Sequence, residues 1–260
     1  MKKDKIFLLN LFVVIVVLLA CFITVKAFNV SGDVCESKVT LYHEVPLPVM
    51  LGGQDNEVVV HTHYVVGYNE RHEQPNWVQY MITRKHVQGT TQRESSFVED
   101  TEVSTKSAKS ADYNKSGYDR GHICPAADMR LDTRCMRETF LMSNISPQRH
   151  QFNAGIWLDL ENYVRKLTLE NDTLYVVSGG VLKDDLPKIK GAYNEVSIPE
   201  HFYKIVYKRG CWMRGWLVPH NTNYKNKKSV DAYAVSVDSI EKVTGIDFFQ
   251  GIPNENEFER

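Results

Sequence analysis

The segment that decides the fold is YDRGHICPAAD, residues 118–128. Arg120 and His122 stand two residues apart, so on an extended strand their side chains share one face. A guanidinium can bind a phosphate through two parallel hydrogen bonds, and a neutral imidazole can take a proton from water. The segment therefore predicts a strand that holds a phosphate-binding arginine beside a histidine that acts as a general base.

A second polar cluster follows at SNISPQ, residues 143–148, and FNAG, residues 152–155. A helix is predicted after Asn153, over residues 154–170, because apolar residues recur there at helical spacing. They are Ile156, Trp157, Leu160, Tyr163, Val164 and Leu167. Asn153 would lie at or near the N-cap of this helix. A base, arginines and hard oxygen ligands together indicate metal-assisted cleavage of a phosphodiester.

These motifs, in this order, resemble the DNA/RNA non-specific endonuclease family, the ββα-metal (His-Me finger) nucleases that include the endonuclease G-like enzymes. The resemblance extends upstream to QPNWVQY, residues 74–80, and downstream to IEKVTGIDFF, residues 240–249. It implies an α+β domain whose central, largely antiparallel sheet is flanked by helices and carries a ββα-metal active site. It also implies products with 5′-phosphate and 3′-hydroxyl ends.

The first two roles are those of base and metal ligand. His122 is the candidate general base, since an ordinary histidine pKa of about 6.5 leaves the imidazole largely neutral at pH 7. In the context of both motifs, Asn153 is predicted to bind Mg²⁺ through its side-chain oxygen. Magnesium keeps several waters, so one protein ligand is chemically sufficient. Manganese or calcium could occupy the same position.

The remaining candidate residues would bind phosphate or shape the site. Arg120 and Arg93 are predicted to stabilise the developing charge on the phosphate. For Arg93 this role comes from the resemblance, since an arginine in a polar loop is ordinarily a solvated surface charge. Glu161 would hydrogen-bond water molecules around the metal, Asn144 would shape the site by hydrogen bonding, and Asp119 would orient the motif.

Substrate range and charge give a weaker signal. A site that contacts mainly the sugar-phosphate backbone reads little sequence, so DNA and RNA, single- and double-stranded, are the expected substrates. The net charge of the chain is −1. Residues 84–149 hold 11 Lys and Arg against 9 Asp and Glu, a difference of +2. This mild contrast would not by itself predict nucleic-acid binding.

The N-terminus predicts export. Lys2, Lys3 and Lys5 precede an apolar run over residues 6–25, and residues 1–27 are therefore a signal peptide or a transmembrane anchor. A lipoprotein signal at Cys21 fits less well. Each fate places the nuclease domain outside the cytoplasm: periplasmic, secreted or membrane-anchored. An irregular segment, residues 28–55, is expected to precede the endonuclease domain at residues 56–260.

Cysteine spacing leaves the disulfides open. The chain has five cysteines and no CxxC pair, which argues against a structural zinc site. Four of them lie beyond the leader, an even number that permits disulfides in an oxidising compartment. Cys124, inside the motif, is either a small buried thiol or one half of a bridge.

Local composition predicts the remaining elements. Val58 to Tyr68 is expected to form one strand, with His61 and His63 on one face, and residues 77–83 its hairpin partner. The polar stretch 84–115 is expected to be a long loop. Further predictions are strands over 139–144, 173–177, 196–208 and 211–219, and a helix over 238–243 that ends at Gly245.

Three other functions fit parts of the sequence. One is a non-catalytic nucleic-acid-binding envelope protein that has kept the fold. Another is a phosphodiesterase acting on small substrates. The third is a zinc hydrolase built on His61, His63 and a cysteine. A homodimer is compatible with the sequence. The sequence does not determine the oligomeric state, an inhibitor partner or the biological role.

Overall fold

The computed structural model describes residues 45–53 and 55–252; the predicted leader lies outside these ranges. Its strands are β1 (Val49–Met50), β2 (Glu57–Val60), β3 (Tyr64–Asn69), β4 (Gln74–Thr83), β5 (Asp119–His122), β6 (Ile145–Gln148), β7 (Thr173–Gly180), β8 (Lys188–Lys190), β9 (Glu195–Ser197), β10 (His201–Lys208), β11 (Trp212–Pro219), β12 (Ala234–Val235) and β13 (Ile246–Asp247). Its α-helices are α1 (Arg84–Gln88), α2 (Thr133–Glu138), α3 (His150–Phe152), α4 (Leu158–Asn171) and α5 (Val237–Thr244).

A seven-stranded sheet in the order β12-β11-β10-β7-β4-β3-β2 forms the centre of the fold. Every neighbouring pair in it is antiparallel, which confirms the predicted α+β class. Adjacent residues of one strand enter different cores: Val66 packs in one and Val65 in the other. Because successive side chains of a strand alternate between its faces, the sheet is covered on both sides.

Two predicted strands and one predicted loop were placed wrongly in part. The run 58–68 is broken into β2 and β3 by a turn that contains His61 and His63, because Thr62 bonds to the distant carboxylate of Glu138. The run 196–208 is likewise divided into β9 and β10. The predicted loop over 84–115 begins as helix α1, whose N-cap is the hydroxyl of Thr83.

The finger consists of the antiparallel hairpin β5–β6, in which Arg120 pairs with Pro147 and His122 with Ile145. The predicted strand over 139–144 is wrong: a 3₁₀ turn occupies Met142–Asn144, and the strand begins one residue later. Pro147 hides this strand in the sequence, since proline is confined to the edges of sheets.

The third part of the finger is a continuous helical segment. It begins with α3, passes through a π-helical turn at Asn153–Trp157 and continues as α4. The predicted N-cap at Asn153 is wrong, because the helix starts one turn earlier and Asn153 has helical angles, φ −59° and ψ −51°. π-turns of this kind occur often at functional sites, and this one sets the direction of the Asn153 side chain.

The C-terminal prediction is confirmed. Helix α5 ends at Gly245, which adopts the left-handed conformation with φ 69° that a glycine allows most readily. Strand β13 then pairs with β1. Among the described residues, no helix has the length and hydrophobicity needed to cross a membrane.

Candidate active site

His122 occupies the end of β5 and is 8% exposed. Its ring packs 5.3 Å from Phe97 and edge-on, at 4.8 Å, against Phe140. Burial, together with the positive charge of Arg93, lowers the pKa of His122 to about 3. Its Nε2 atom has no hydrogen-bond partner among the described residues. A neutral imidazole with an unpaired nitrogen is suited to bind and deprotonate water.

The two candidate arginines lie on the same aromatic pair. The guanidinium of Arg93 is 5.1 Å from the ring centroid of Phe140, and that of Arg120 is 5.8 Å from the centroid of Phe97. Cations at such distances are attracted to the faces of aromatic rings. The two rings that enclose His122 therefore also hold the positive charges beside it, and the structure brings all three predicted residues together.

Arg120 is fixed further by the turn that precedes its strand. Its Nη2 atom donates to the backbone oxygen of Ser110 and, at 2.7 Å, to Oδ1 of Asn114. Both bonds use Nη2, so the other end of the fork keeps donors for a phosphate. The anchored side chain loses little conformational freedom when it binds one.

Asn153 and Asp119 form the next part of the site. Nδ2 of Asn153 donates to Oδ2 of Asp119 at 3.0 Å, and Nδ1 of His150 lies 3.0 Å from the same oxygen. A carboxylate only accepts hydrogen bonds, so the amide nitrogen must face Asp119 and Oδ1 is left to bind a cation. A hard oxygen ligand of this kind fits Mg²⁺, and the predicted orienting role of Asp119 has a direct geometric basis.

Glu161 lies on the same helical segment, in a buried network of charges. Arg165 reaches Asp128 at 2.6 Å and Glu161 at 3.9 Å. Burial and the charge of Asp128 raise the pKa of Glu161 to about 7, while Arg93 lowers it. The charge of Arg93 also lowers the pKa of His122, so Glu161 and His122 both feel the field of the same guanidinium.

Lys204, which the sequence analysis did not single out, contributes to this network. It is fully buried in β10, with Nζ 4.7 Å from the ring centroid of Trp157 and no hydrogen-bond partner among the described residues. Burial lowers its pKa, and Glu161 opposes this shift. The sequence does contain a signal for this residue, which is a lysine inside the apolar run HFYKIVY, residues 201–207. Lysine is rarely fully buried unless it is paired with another charge.

Asn144 supports the strand end that carries the base. Its Oδ1 accepts from the backbone nitrogen of Cys124 at 2.8 Å, and its Nδ2 donates to the oxygens of Cys124 and Thr139 at 2.9 and 2.8 Å. These bonds join the chain just after His122 to the 3₁₀ turn before β6. The geometry agrees with the predicted site-shaping role.

Replacing Asn144 with alanine should lower the free energy of unfolding by about 1–3 kcal/mol, because buried backbone groups would lose their partners. We also expect reduced turnover at an unchanged metal requirement, since His122 would lose its support. Urea unfolding and kcat measure the two effects. Asn171→Ala, on the partly exposed end of α4, is the matched control; equal stability losses in the two variants would contradict this role.

The described cysteines are free thiols. Cys124 and Cys135 are buried and Cys211 is exposed. Of the two interpretations of Cys124, the small buried thiol is therefore confirmed and the disulfide is not. Cys21 and Cys35 lie outside the described residues.

An antiparallel hairpin that ends in a histidine, followed by a helix that presents an asparagine oxygen beside it, defines the ββα-metal class of nucleases. A model of the DNA/RNA non-specific endonuclease family matches residues 44–255. The chain belongs to the DNA/RNA non-specific endonuclease family, which confirms the resemblance drawn from its motifs.

Individual relatives support this family assignment. A nuclease of Nostoc sp. is 34% identical over 217 residues, covering 77% of this chain and 76% of that protein. Human mitochondrial endonuclease G is 30% identical over 208 residues, with coverage of 74% and 68%. The mitochondrial nuclease EXOG of Danio rerio is 32% identical over 207 residues, covering 74% of this chain and 60% of that protein.

The chain thus spans about three-fifths of the length of that EXOG relative. Among solved structures, EndoG in its complex with EndoGI superposes with a TM-score of 0.68 at 30% identity, covering 76% of this chain and 87% of that chain. The superposition confirms the fold class.

Proposed function

We propose that this protein is an exported, Mg²⁺-dependent endonuclease that hydrolyses phosphodiester bonds of DNA and RNA. The observation that supports this most directly is the environment of His122. A neutral, buried imidazole, with an Nε2 atom unpaired among the described residues, packs against the two aromatic rings that carry Arg93 and Arg120. Phosphodiester hydrolysis requires that combination of a base for water and positive charge for the phosphate.

Each residue has a defined part in the proposed reaction. His122 takes a proton from the attacking water, and Arg93 and Arg120 bind the phosphate oxygens and stabilise the charge that develops on them. Asn153 would hold the metal ion through Oδ1, and Glu161 would orient water in its shell. When bound, the ion supplies Lewis acidity at the phosphate and at the departing 3′ oxygen. Products would carry 5′-phosphate ends.

The breadth of substrate follows from the groups involved. His122, Asn153 and the two arginines address water, metal and phosphate, none of which reports a base or distinguishes a ribose from a deoxyribose. Mn²⁺ would replace Mg²⁺, because it accepts the same oxygen ligands. A homodimer and a protein inhibitor remain proposals that do not alter this chemistry.

Export is supported by the basic start and apolar run of residues 1–27. A reporter enzyme that is active only outside the cytoplasm, fused after residue 44, tests the proposal. We expect an active reporter, and N-terminal sequencing of the mature protein would distinguish a cleaved signal from an anchor. An inactive reporter in cells that make the full fusion would contradict export.

Removal of divalent metal should abolish nuclease activity. Covalently closed plasmid DNA and an unstructured RNA are incubated with the protein in Mg²⁺, in EDTA, and in EDTA followed by excess Mg²⁺. Circular DNA has no ends, so its cleavage requires an endonuclease. We expect both polymers to be degraded in Mg²⁺, protected in EDTA, and degraded again after Mg²⁺ is restored.

Other results would favour the alternatives. A folded protein that binds both polymers and leaves them intact would indicate a non-catalytic binding role. Hydrolysis of small model diesters with no preference for long polymers would indicate a small-molecule phosphodiesterase. Activity that survives EDTA would contradict the metal requirement.

A further inference from the structure

A second cluster of ligand atoms lies away from Asn153, in contact with helices α1 and α2. His63, His86 and Cys135 each offer one ligand atom, and these atoms all lie within 4.8 Å of one another. The three residues come from different parts of the chain: the turn after β2, helix α1 and helix α2. The tertiary fold, and no sequence motif, brings them together.

The side chains are oriented as metal ligands. His86 is 5% exposed, and its Nε2 atom has no partner among the described residues. Its Nδ1 atom lies 2.7 Å from the hydroxyl of Thr83 and accepts from the backbone nitrogen of Thr83 at 3.2 Å. A metal on Nε2 would require the proton on Nδ1, which would then donate to the hydroxyl and no longer accept from the backbone nitrogen. Ligating histidines are commonly held by such a bond from the second nitrogen.

The other two ligands are equally available. Cys135 is fully buried, and its Sγ atom contacts the thioether sulfur of Met129 at 3.3 Å, a weak acceptor. The side chain of His63 is 21% exposed, and its ring lies edge-on to that of His86 with centroids 5.7 Å apart. Of these three side chains, only that of His63 is exposed to solvent.

A carboxylate, that of Asp132, lies next to His63. Asp132 caps helix α2 through Oδ1, which accepts from the backbone nitrogen of Cys135 at 2.7 Å. Its other oxygen, Oδ2, lies 3.7 Å from Nε2 of His63. One thiolate, two imidazoles and one carboxylate form a donor set that zinc binds tetrahedrally. Ligand atoms around zinc are separated by roughly 3.3–3.8 Å. The ligand atoms of His63, His86 and Cys135 lie within 4.8 Å of one another, so they would have to approach by about 1 Å.

We propose that His63, His86, Cys135 and Asp132 bind one Zn²⁺ ion that is structural and distinct from the metal at Asn153. Binding replaces the thiol proton of Cys135, which passes to solvent. The ion would join the turn after β2 to both helices. Helix α2 leads directly to Phe140, whose ring packs against His122. A clamp here would stabilise the support of the base without entering the reaction.

This site differs from the zinc hydrolase considered from the sequence. His61 does not belong to the cluster, because its Nε2 atom pairs with Asp100 at 2.9 Å, and both side chains are 2% exposed. With a closed set of four protein ligands, no position remains for a catalytic water. The inference is independent of the proposed nuclease function, since zinc content can be measured without substrate.

The test is zinc retention by the purified full-length protein. The protein is incubated with Zn²⁺, desalted, and its metal content measured by mass spectrometry, beside Cys135→Ser, His63→Ala and the matched control Cys211→Ser. We expect one zinc per chain in the unsubstituted protein and in Cys211→Ser. Cys135→Ser and His63→Ala should bind at least about 10-fold more weakly.

Two further readouts separate this site from alternatives. Cobalt bound in place of zinc should show thiolate-to-metal charge-transfer absorption that Cys135→Ser lacks, and zinc should raise the Tm of Cys211→Ser but not of His63→Ala. His63 is partly exposed in the turn after β2, so its variant tests the proposal even if Cys135→Ser fails to fold. The proposal would be overturned if neither the unsubstituted protein nor Cys211→Ser retained zinc. It would also be overturned if Cys135→Ser retained as much zinc as the unsubstituted protein, or if Asn153→Ala lost it.

Discussion

Replacing His122 with alanine should reduce kcat on plasmid DNA by about 10²- to 10⁴-fold, the usual contribution of a positioned general base. The fold should persist, because the substitution removes a buried Nε2 atom that has no partner in the described part of the chain. Turnover is measured at saturating Mg²⁺ and folding by circular dichroism. A folded His122→Ala protein with near-normal turnover would show that another group activates the water.

Two companions make this result specific to the base. His201→Ala removes a partly exposed histidine at the start of β10, outside the contacts of His122, and should leave kcat unchanged. Added imidazole should restore part of the turnover of His122→Ala, since the space left between Phe97 and Phe140 can admit it. An equal stimulation of His201→Ala by imidazole would count against the assignment, because it would show an effect unrelated to the vacated site.

Replacing Asn153 with alanine should lower turnover by at least about 10²-fold, because the metal would lose its protein ligand and with it several kcal/mol of charge stabilisation. The affinity for Mg²⁺ should also fall, so that activity does not saturate at the Mg²⁺ concentrations that saturate the unsubstituted protein. The measurement is kcat and the half-saturating Mg²⁺ concentration, obtained by titration.

Asn153→Asp distinguishes ligand loss from general damage. It keeps an oxygen ligand but places a carboxylate about 3 Å from Oδ2 of Asp119, where like charges repel unless a cation lies between them. Activity should therefore return at raised Mg²⁺ in Asn153→Asp and not in Asn153→Ala. Asn171→Ala is the control on the same helical segment, and equal metal responses in all three variants would refute the assignment of Asn153 as ligand.

Short-range patterns predicted the scaffold well where the signal was local. Alternating β-branched and aromatic residues indicated the central strands, helical spacing of apolar residues indicated the helix after Asn153, and Gly245 marked the end of α5. The errors lie where a distant contact decides the local conformation. Glu138 fixes the turn at Thr62, and the pairing of Pro147 with Arg120 makes a strand from a segment that composition would not choose.

The site was predicted to a similar extent. His122, Arg120 and Asn153 stand in motifs with fixed spacing, so their grouping follows from the sequence. Lys204 and Arg165 do not, since strand β10 and helix α4 bring them to Asp128 from positions that are far apart in the chain. A buried charge network is a property of packing, because only burial converts ordinary charged residues into a coupled set.

The sequence by itself therefore determined the family, the ββα finger and the candidate for the base, because each depends on residue types at short, fixed spacing. Only the tertiary structure decided which way the Asn153 amide faces, which rings hold Arg93 beside His122, and that His63, His86 and Cys135 share one cluster. These features depend on contacts between segments separated by tens of residues, and local spacing carries no information about such contacts.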